Sequence, residues 1–385
     1  MIFSIGKVWS FLDNIRTNSS APFFRLHESP DKLMLNRLIA LWLILLPSLF
    51  AYGFRPFILA LSGTAGAVSI EALWQFFSKK PQTVGDLSAV ATGLCCACML
   101  PASSPVWLPL IAGFFAVAAA KLAFGGFGRS PFNPAAVGVC FACMLRFADL
   151  SVTNTLTFTD AQKKIWELLP KHLFLFTQPG KSLPIFADCE PSTIFGSLDV
   201  TSQLRAGIDP QLDFGDFLLG TYPGFIGGFF PIIMIVAAGW LIIRRSLAWR
   251  ASLGFICSVA IMSLLWRYDH IFLAMCPIYD VFASSTLFIA VFLIGDTFTA
   301  PKMRSGQVIY GVIAGILSLT LRRIGAFGSS DIFAVIIMNV TAAPIDNLVW
   351  FCRSRGISYT AAKRNAINRI KEKFSKEDED DVIAV

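Results

Sequence analysis

Residues Gly125 to Gly138 read GGFGRSPFNPAAVG, and here a strongly apolar chain breaks into glycines, prolines, an arginine and an asparagine between two hydrophobic runs. Gly125, Gly126 and Gly128 allow positive φ and close approach to another surface. Pro131 and Pro134 remove helical hydrogen bonds on either side of Asn133. Such a break makes a re-entrant turn or a broken helix. At membrane depth, irregular backbone survives only where it is buried in protein or lines a cavity, because lipid cannot satisfy its NH and C=O groups. A plain Gly/Pro loop between two helices is the other reading of the same residues.

The rest of the chain makes membrane depth the relevant setting. Of 385 residues, 55% are hydrophobic and 15% charged, and mean hydropathy is +0.64. That is the composition of an all-α polytopic membrane protein rather than a soluble domain. The apolar runs lack period-two alternation, which argues against an outer-membrane barrel. The formal charge of +7 could point to an acidic partner, but most Lys and Arg flank apolar runs and no nucleic-acid motif accompanies them, so the excess reads as topology. Cys95, Cys96, Cys98, Cys140 and Cys143 sit inside apolar segments, where a thiol behaves as a small hydrophobe. The CCAC run has no matching ligand cluster and reads as packing rather than as a metal site. A mixed polar segment precedes a first apolar run long enough to span, so no cleavable signal peptide is expected.

Ten spans follow. A segment expected on the cytoplasmic side, residues 1–34, leads into runs at 35–52, 57–77, 87–100, 107–124 and 135–147, the first group of five. Residues 148–222 are polar and Pro-rich but keep Trp166, Phe174, Phe176, Phe186 and Phe195, so they read as an ordered insertion. Runs at 225–243, 247–266, 281–294, 308–321 and 332–352 make a second five within residues 223–352, and residues 353–385 form a tail ending in an acidic run. The break GDTFTAPKMRSG (Gly295 to Gly306) holds the place in the second group that PASSP (Pro101 to Pro105) holds in the first.

Asp86, Ala89 and Thr92 recur in step as Asp280, Ala283 and Thr286. With an odd number of spans per unit, the second copy must lie inverted relative to the first, leaving a possible site at their shared interface. Lys79, Lys80, Arg129, Arg244, Arg245, Lys302 and Arg304 crowd the loops on one side, while Arg55, Arg267, Arg322 and Arg323 fall in loops on the other. The positive-inside bias then places both termini in the cytoplasm and the insertion outside.

Polar groups at membrane depth are costly and carry a functional expectation. The candidates are Asp296 with Thr297 and Thr299 in one break, Asn133 with Ser130 in the other, and Asp86 and Asp280 opening paired spans. Asn133 and Asp296 could hold a polar ligand between the breaks. The alternative is that Asp296 and, above all, Asp86 cap helix starts. His27, His172 and His270 are scattered with no Ser-His-Asp arrangement, so hydrolysis is not expected. GGFGRSP has neither the strand-before, helix-after setting of a dinucleotide fingerprint nor the Lys-Ser/Thr of a P-loop.

SPDKLMLNRLIALWLILLP (Ser29 to Pro47), GDLSAVATGL (Gly85 to Leu94), the stretch from Pro101 to Gly138 ending in FGRSPFNPAAVG, FLLGTYPGFIGG (Phe217 to Gly228) and GDTFTAP (Gly295 to Pro301) resemble the D subunit of the Rnf electron-transport complex. They also resemble its relative, the B subunit of the sodium-pumping NADH:quinone oxidoreductase. The resemblance implies about ten transmembrane helices in two inverted five-helix repeats, within a multi-subunit inner-membrane complex coupling electron transfer to Na⁺ or H⁺ movement. It implies an FMN joined through its phosphate to a threonine in an SGAT-like motif, and a riboflavin near residues matching Asn133 and Asp296, with Ser130 and Thr299 beside them. The insertion contains no SGAT; its nearest equivalents are Pro191-Ser192-Thr193, which makes Thr193 the attachment choice, and Val200-Thr201-Ser202. Ser130 stands where the family usually has Asn, and Gly228 where it has Glu. A flavin-free scaffold of the same complex and a small-solute channel are the competing expectations.

Overall fold

The structure is a computed structural model that describes residues 30–52, 54–79, 84–102, 104–126, 128–145, 204, 225–228, 230–266, 276–282, 285–324 and 331–354. Most of the N-terminal segment, the insertion except Leu204, the tail beyond Ser354, and the attachment choice Thr193 lie outside the described residues.

Every apolar run carries helix. Helix α1 spans Pro30–Tyr52, and α2 spans Arg55–Ser78. A 3₁₀ turn at Val84–Asp86 precedes α3, Ser88–Cys98. Helix α4, Trp107–Phe115, runs on as a π-helix over Ala116–Leu122, and α5 spans Pro134–Leu145. After a 3₁₀ turn at Ile226–Gly228 come α6 (Pro231–Ile243), α7 (Trp249–Leu265) and α8 (Cys276–Phe282). Helix α9, Thr286–Phe288, continues as a π-helix over Ile289–Ile294, and α10 (Arg304–Ile324) and α11 (Asp331–Ser354) complete the described elements. Among the described residues there is no strand, only two isolated bridges. Three helices there, α2, α10 and α11, are long and apolar enough to cross a membrane.

Element starts follow local chemistry. Pro56 and Pro231 lie at the first turns of α2 and α6, where a missing N–H costs nothing. Leu87, read as the start of the third run, has φ +59°, so α3 begins one residue later. The sixth run begins as helix only at Pro231, because Phe225 is bridged to Pro101 and the Ile226 N–H donates to the Leu100 carbonyl at 3.2 Å. The 281–294 run is divided between α8 and α9 rather than continuous. Arg322 and Arg323, read as loop residues, instead lie in the last turn of α10 and are buried, because acidic partners on α8 and α11 meet them there.

Close helix contact is set by small residues. A Cβ at Gly63 would stand 2.7 Å from the Gly93 carbonyl oxygen, and one at Gly93 would stand 2.4 Å from that of Gly63. The one large core draws on both groups of helices, and the five cysteines of the apolar segments pack within it. Outward faces keep Phe76, Phe77, Ile243 and Leu348 exposed, a surface suited to hydrocarbon.

Candidate functional site

Both breaks are preceded by π-helix. The Gly126 N–H donates to the Lys121 carbonyl at 2.9 Å and the Gly295 N–H to the Ala290 carbonyl at 3.0 Å, each five residues back. A π register re-aims the side chains that follow it and recurs at functional sites. Beyond the first π-helix, Gly125, Gly126 and Gly128 take φ of +92°, +112° and +79°, which lets the chain turn into α5.

The two breaks meet through Asn133 and Asp296. Asn133 Oδ1 accepts the Ala135 N–H at 3.1 Å and so caps α5. Its Nδ2 reaches into the second half, donating to Asp296 Oδ2 at 3.1 Å and to the Phe292 carbonyl at 3.4 Å. Arg37 of α1 binds the same carboxylate, Nη1 to Oδ2 at 3.1 Å, and also donates to the Phe292 carbonyl. The other oxygen of Asp296 accepts the Phe298 N–H at 3.2 Å. Asp296 therefore stabilises its own turn, eight residues before α10 begins rather than at a helix start, and it faces the other break. The chain leading into α7 braces that turn, the Ala248 N–H donating to the Gly295 carbonyl at 2.9 Å.

Ser130, Asn133, Asp296 and Thr299 line one cleft of about 540 Å³, its open mouth included. Phe132, Phe298, Arg37, Lys121 and Cys95 share its wall. The Ser130 hydroxyl is engaged locally, donating to the Phe132 carbonyl at 2.7 Å. Thr299 is buried with no hydrogen-bond partner for Oγ1 among the described residues, so its hydroxyl is left for whatever occupies the cleft.

Sequence reasoning passed over three charges. Lys121 Nζ lies 2.6 Å from Glu71 Oε1 and 3.6 Å from Asp86 Oδ2, and donates to Ser88 Oγ at 2.5 Å. Glu71 on α2 is fully buried and also accepts from Gln75 Nε2 at 3.2 Å. Asp86 caps as read, accepting the Ser88 N–H at 2.9 Å. The signal for Arg37, Glu71 and Lys121 was available: each is a lone charge in an apolar run, NRLIALW, SIEALWQ and AAAKLAF.

Asp280 faces away from this cleft. Its carboxylate accepts from Ser263 at 2.5 Å and from Arg323. Arg322 bridges to Asp331 at 2.6 Å and donates to Thr286 at 2.8 Å, closing a buried, charge-balanced cluster where α8, α9, α10 and α11 meet. Buried pairs of this kind are costly to break from one side.

A model of the NQR2, RnfD, RnfE family matches residues 17–351. The chain belongs to this family. It is 27% identical over 350 residues to the D subunit of the Na⁺-translocating ferredoxin:NAD⁺ oxidoreductase complex of Acetobacterium woodii, covering 91% of this chain and 98% of the relative. To the D subunit of the ion-translocating oxidoreductase complex of Pseudomonas aeruginosa it is 29% identical over 301 residues, 77% of this chain and 83% of the relative. The D subunit of the complex of the same name from Escherichia coli is 26% identical over 352 residues, 85% and 95%. This NQR2, RnfD, RnfE member therefore spans 83–98% of the length of these three relatives.

Proposed function

We propose that the chain is a flavin-carrying membrane subunit of an Rnf-type complex, passing electrons through its membrane domain in step with Na⁺ or H⁺ movement. The observation that carries the reading is the junction of the two breaks over a single cleft. Its walls offer two aromatic rings, Phe132 and Phe298, together with an amide, a carboxylate, two cationic side chains and an unpartnered buried hydroxyl. That donor set suits a flat heteroaromatic ring with hydrogen-bonding edges, such as riboflavin or the ring of FMN. The flavin, when bound, supplies one- and two-electron transfer. The chain's own residues hold it: Thr299 and Asn133 offer hydrogen bonds, Arg37 and Lys121 set the local charge, and Phe132 and Phe298 exclude water.

Two inverted repeats in an inner membrane, with cytoplasmic termini and other Rnf subunits as partners, complete the proposal. Support for the repeat comes from charge placement. In one half Asp86, before the third span, pairs with Lys121 at the end of the fourth. In the other, Asp280 pairs with Arg322 and Arg323 at the end of the corresponding helix. The relatives' names give complexes that translocate ions, which is the ground for assigning this chain to one.

A visible spectrum of the purified chain tests the reading. Oxidised-flavin absorbance bleached by dithionite, and reduced in Thr299→Val, is expected; a colourless protein overturns it. The missing SGAT favours a second reading, a flavin-free scaffold, which would be colourless yet still co-purify with the complex.

A further inference from the structure

Asp346 of α11 holds the chain where the Gly295 to Gly306 break runs into α10. Its Oδ2 accepts the Lys302 N–H at 2.7 Å and its Oδ1 the Met303 N–H at 3.1 Å, just ahead of the first residue of that helix. Amides at a helix start lack partners within the helix, and negative charge is favoured beside them. Gly306 permits the approach, since a Cβ there would stand 2.8 Å from Asp346 Oδ1. The same two helices are tied twice more, by Tyr310 OH donating to Asn339 Oδ1 at 2.9 Å and by Arg322 pairing with Asp331 at 2.6 Å. These ties run in opposite order along α10 and α11, so the helices are antiparallel and their register is fixed.

From the Asp346 end the break is closed on itself. Lys302 Nζ donates to the Thr297 carbonyl and, at 3.4 Å, to that of Phe298. The Ala300 N–H donates to the Asp296 carbonyl at 2.9 Å, and Gln307 Nε2 to the Pro301 carbonyl at 3.0 Å. Asn133 and Arg37 hold the other end at Asp296 Oδ2. Thr299 lies between these two anchorages, and its buried Oγ1 has no hydrogen-bond partner among the described residues. Threonine is stiff at χ1, so the direction of that hydroxyl follows its backbone. Neither Asp346 nor Lys302 is among the described residues that line the cleft. We propose that Asp346 is a positioning residue for the cleft: through Lys302 and Met303 it fixes the turn that aims the Thr299 hydroxyl at a bound flavin ring. This rests on the flavin-carrying function proposed above and adds the residue that sets the geometry of its donor.

A double-mutant cycle of Asp346→Ala and Thr299→Val tests the role. The purified full-length chain, stripped of releasable flavin, is titrated with riboflavin and read by fluorescence quenching. Asp346→Ala alone should raise the riboflavin Kd several-fold, and Asp346→Asn, which keeps one carbonyl acceptor, should raise it less. In the Thr299→Val background Asp346→Ala should leave Kd where Thr299→Val alone puts it, because the hydroxyl to be aimed is gone. Lys302→Met, which leaves both bonds to Asp346 in place, should raise Kd in the same direction and serves if Asp346→Ala does not fold. Hydrogen exchange reads the clamp without ligand: the amides of residues 302 and 303 should exchange faster in Asp346→Ala than in Asn339→Ala, which removes the neighbouring tie between the same helices. An unchanged Kd in Asp346→Ala, an equal loss with and without the Thr299 hydroxyl, or unchanged exchange at those amides overturns the positioning role alone. A wild-type chain that binds no riboflavin overturns the function proposed above and this role with it.

Discussion

Asn133 and Asp296, 163 positions apart, are joined by a hydrogen bond of 3.1 Å, and the same Asn133 side chain caps α5 through its carbonyl. One residue therefore fixes the start of a helix and the seam between two halves, and substitutions separate the roles. Asn133→Asp keeps an acceptor for the Ala135 N–H but loses the amide donor and sets a second carboxylate against Asp296. Asn133→Ala loses the cap, worth about 1 kcal/mol, without adding charge. Asn133→Asp is expected to be the less stable of the two at neutral pH and to recover relative to Asn133→Ala as pH falls, because protonating one carboxyl relieves the repulsion. Thermal unfolding of both purified variants across pH checks this; an order independent of pH would refute it.

Lys121 and Glu71 form a pair whose side chains are 4% and 0% exposed. Removing one partner leaves a buried charge, at a cost of about 3–5 kcal/mol, whereas replacing both with apolar groups of similar volume is often close to neutral. Lys121→Met and Glu71→Leu singly should each lower the thermal midpoint markedly, and the double variant should recover much of the loss. Additive losses in that double-mutant cycle would show that the two side chains act separately.

How far the fold could be read from sequence depended on what set each boundary. Apolar runs marked every helix but α8, most of which precedes the eighth run, because a stretch that must be satisfied in hydrocarbon has few alternatives to helix. The division of the eighth run into α8 and α9 carried no Gly or Pro, only the polar Ser284, Ser285 and Thr286 within VFASSTLF, at the point where α9 begins. The π-helices were likewise invisible: AVAAAKL and IAVFLI suit any helical register. In the cleft, Asn133 and Asp296 stood out because glycines and prolines surround them. Arg37 did not, because no glycine or proline marks it, although it is a lone charge inside the first apolar run. Arg322 and Arg323 were misplaced because a pair of arginines ending an apolar run suggests a loop unless their acidic partners, distant in sequence, are known.

Glycine positions give a graded expectation from one substitution. Gly93→Ala puts a Cβ 2.4 Å from the Gly63 carbonyl oxygen, backbone that cannot yield, and overpacking of this sort costs about 1–3 kcal/mol. Gly126→Ala meets open space but holds φ +112°, so backbone strain alone opposes it. Gly239→Ala, in α6 with nothing within 4 Å of the new Cβ, should stabilise by about 0.5–1 kcal/mol through helix propensity. Thermal midpoints should rank Gly239→Ala above wild type and both other variants below it, and a stable Gly93→Ala would contradict the close helix contact.

The last expectation concerns where a flavin is attached. None of the four Ser and Thr hydroxyls among the described residues lining the cleft sits in an SGAT sequence: Ser88 lies in DLSA, Thr92 in VATG, Ser130 in GRSP and Thr299 in FTAP. A ring held there by hydrogen bonds and aromatic contacts should therefore leave when the protein is denatured. An FMN esterified through its phosphate would stay with the polypeptide, and the attachment choice for it is Thr193. Denaturation in acid should thus release the cleft flavin in full, in an amount lowered by Thr299→Val and unaffected by Thr193→Val. Any colour retained on the chain should map by mass spectrometry to the peptide containing Thr193 and vanish in Thr193→Val. Retained colour that survives Thr193→Val would place the ester elsewhere, with Thr201 and Ser202 the next hydroxyls to test.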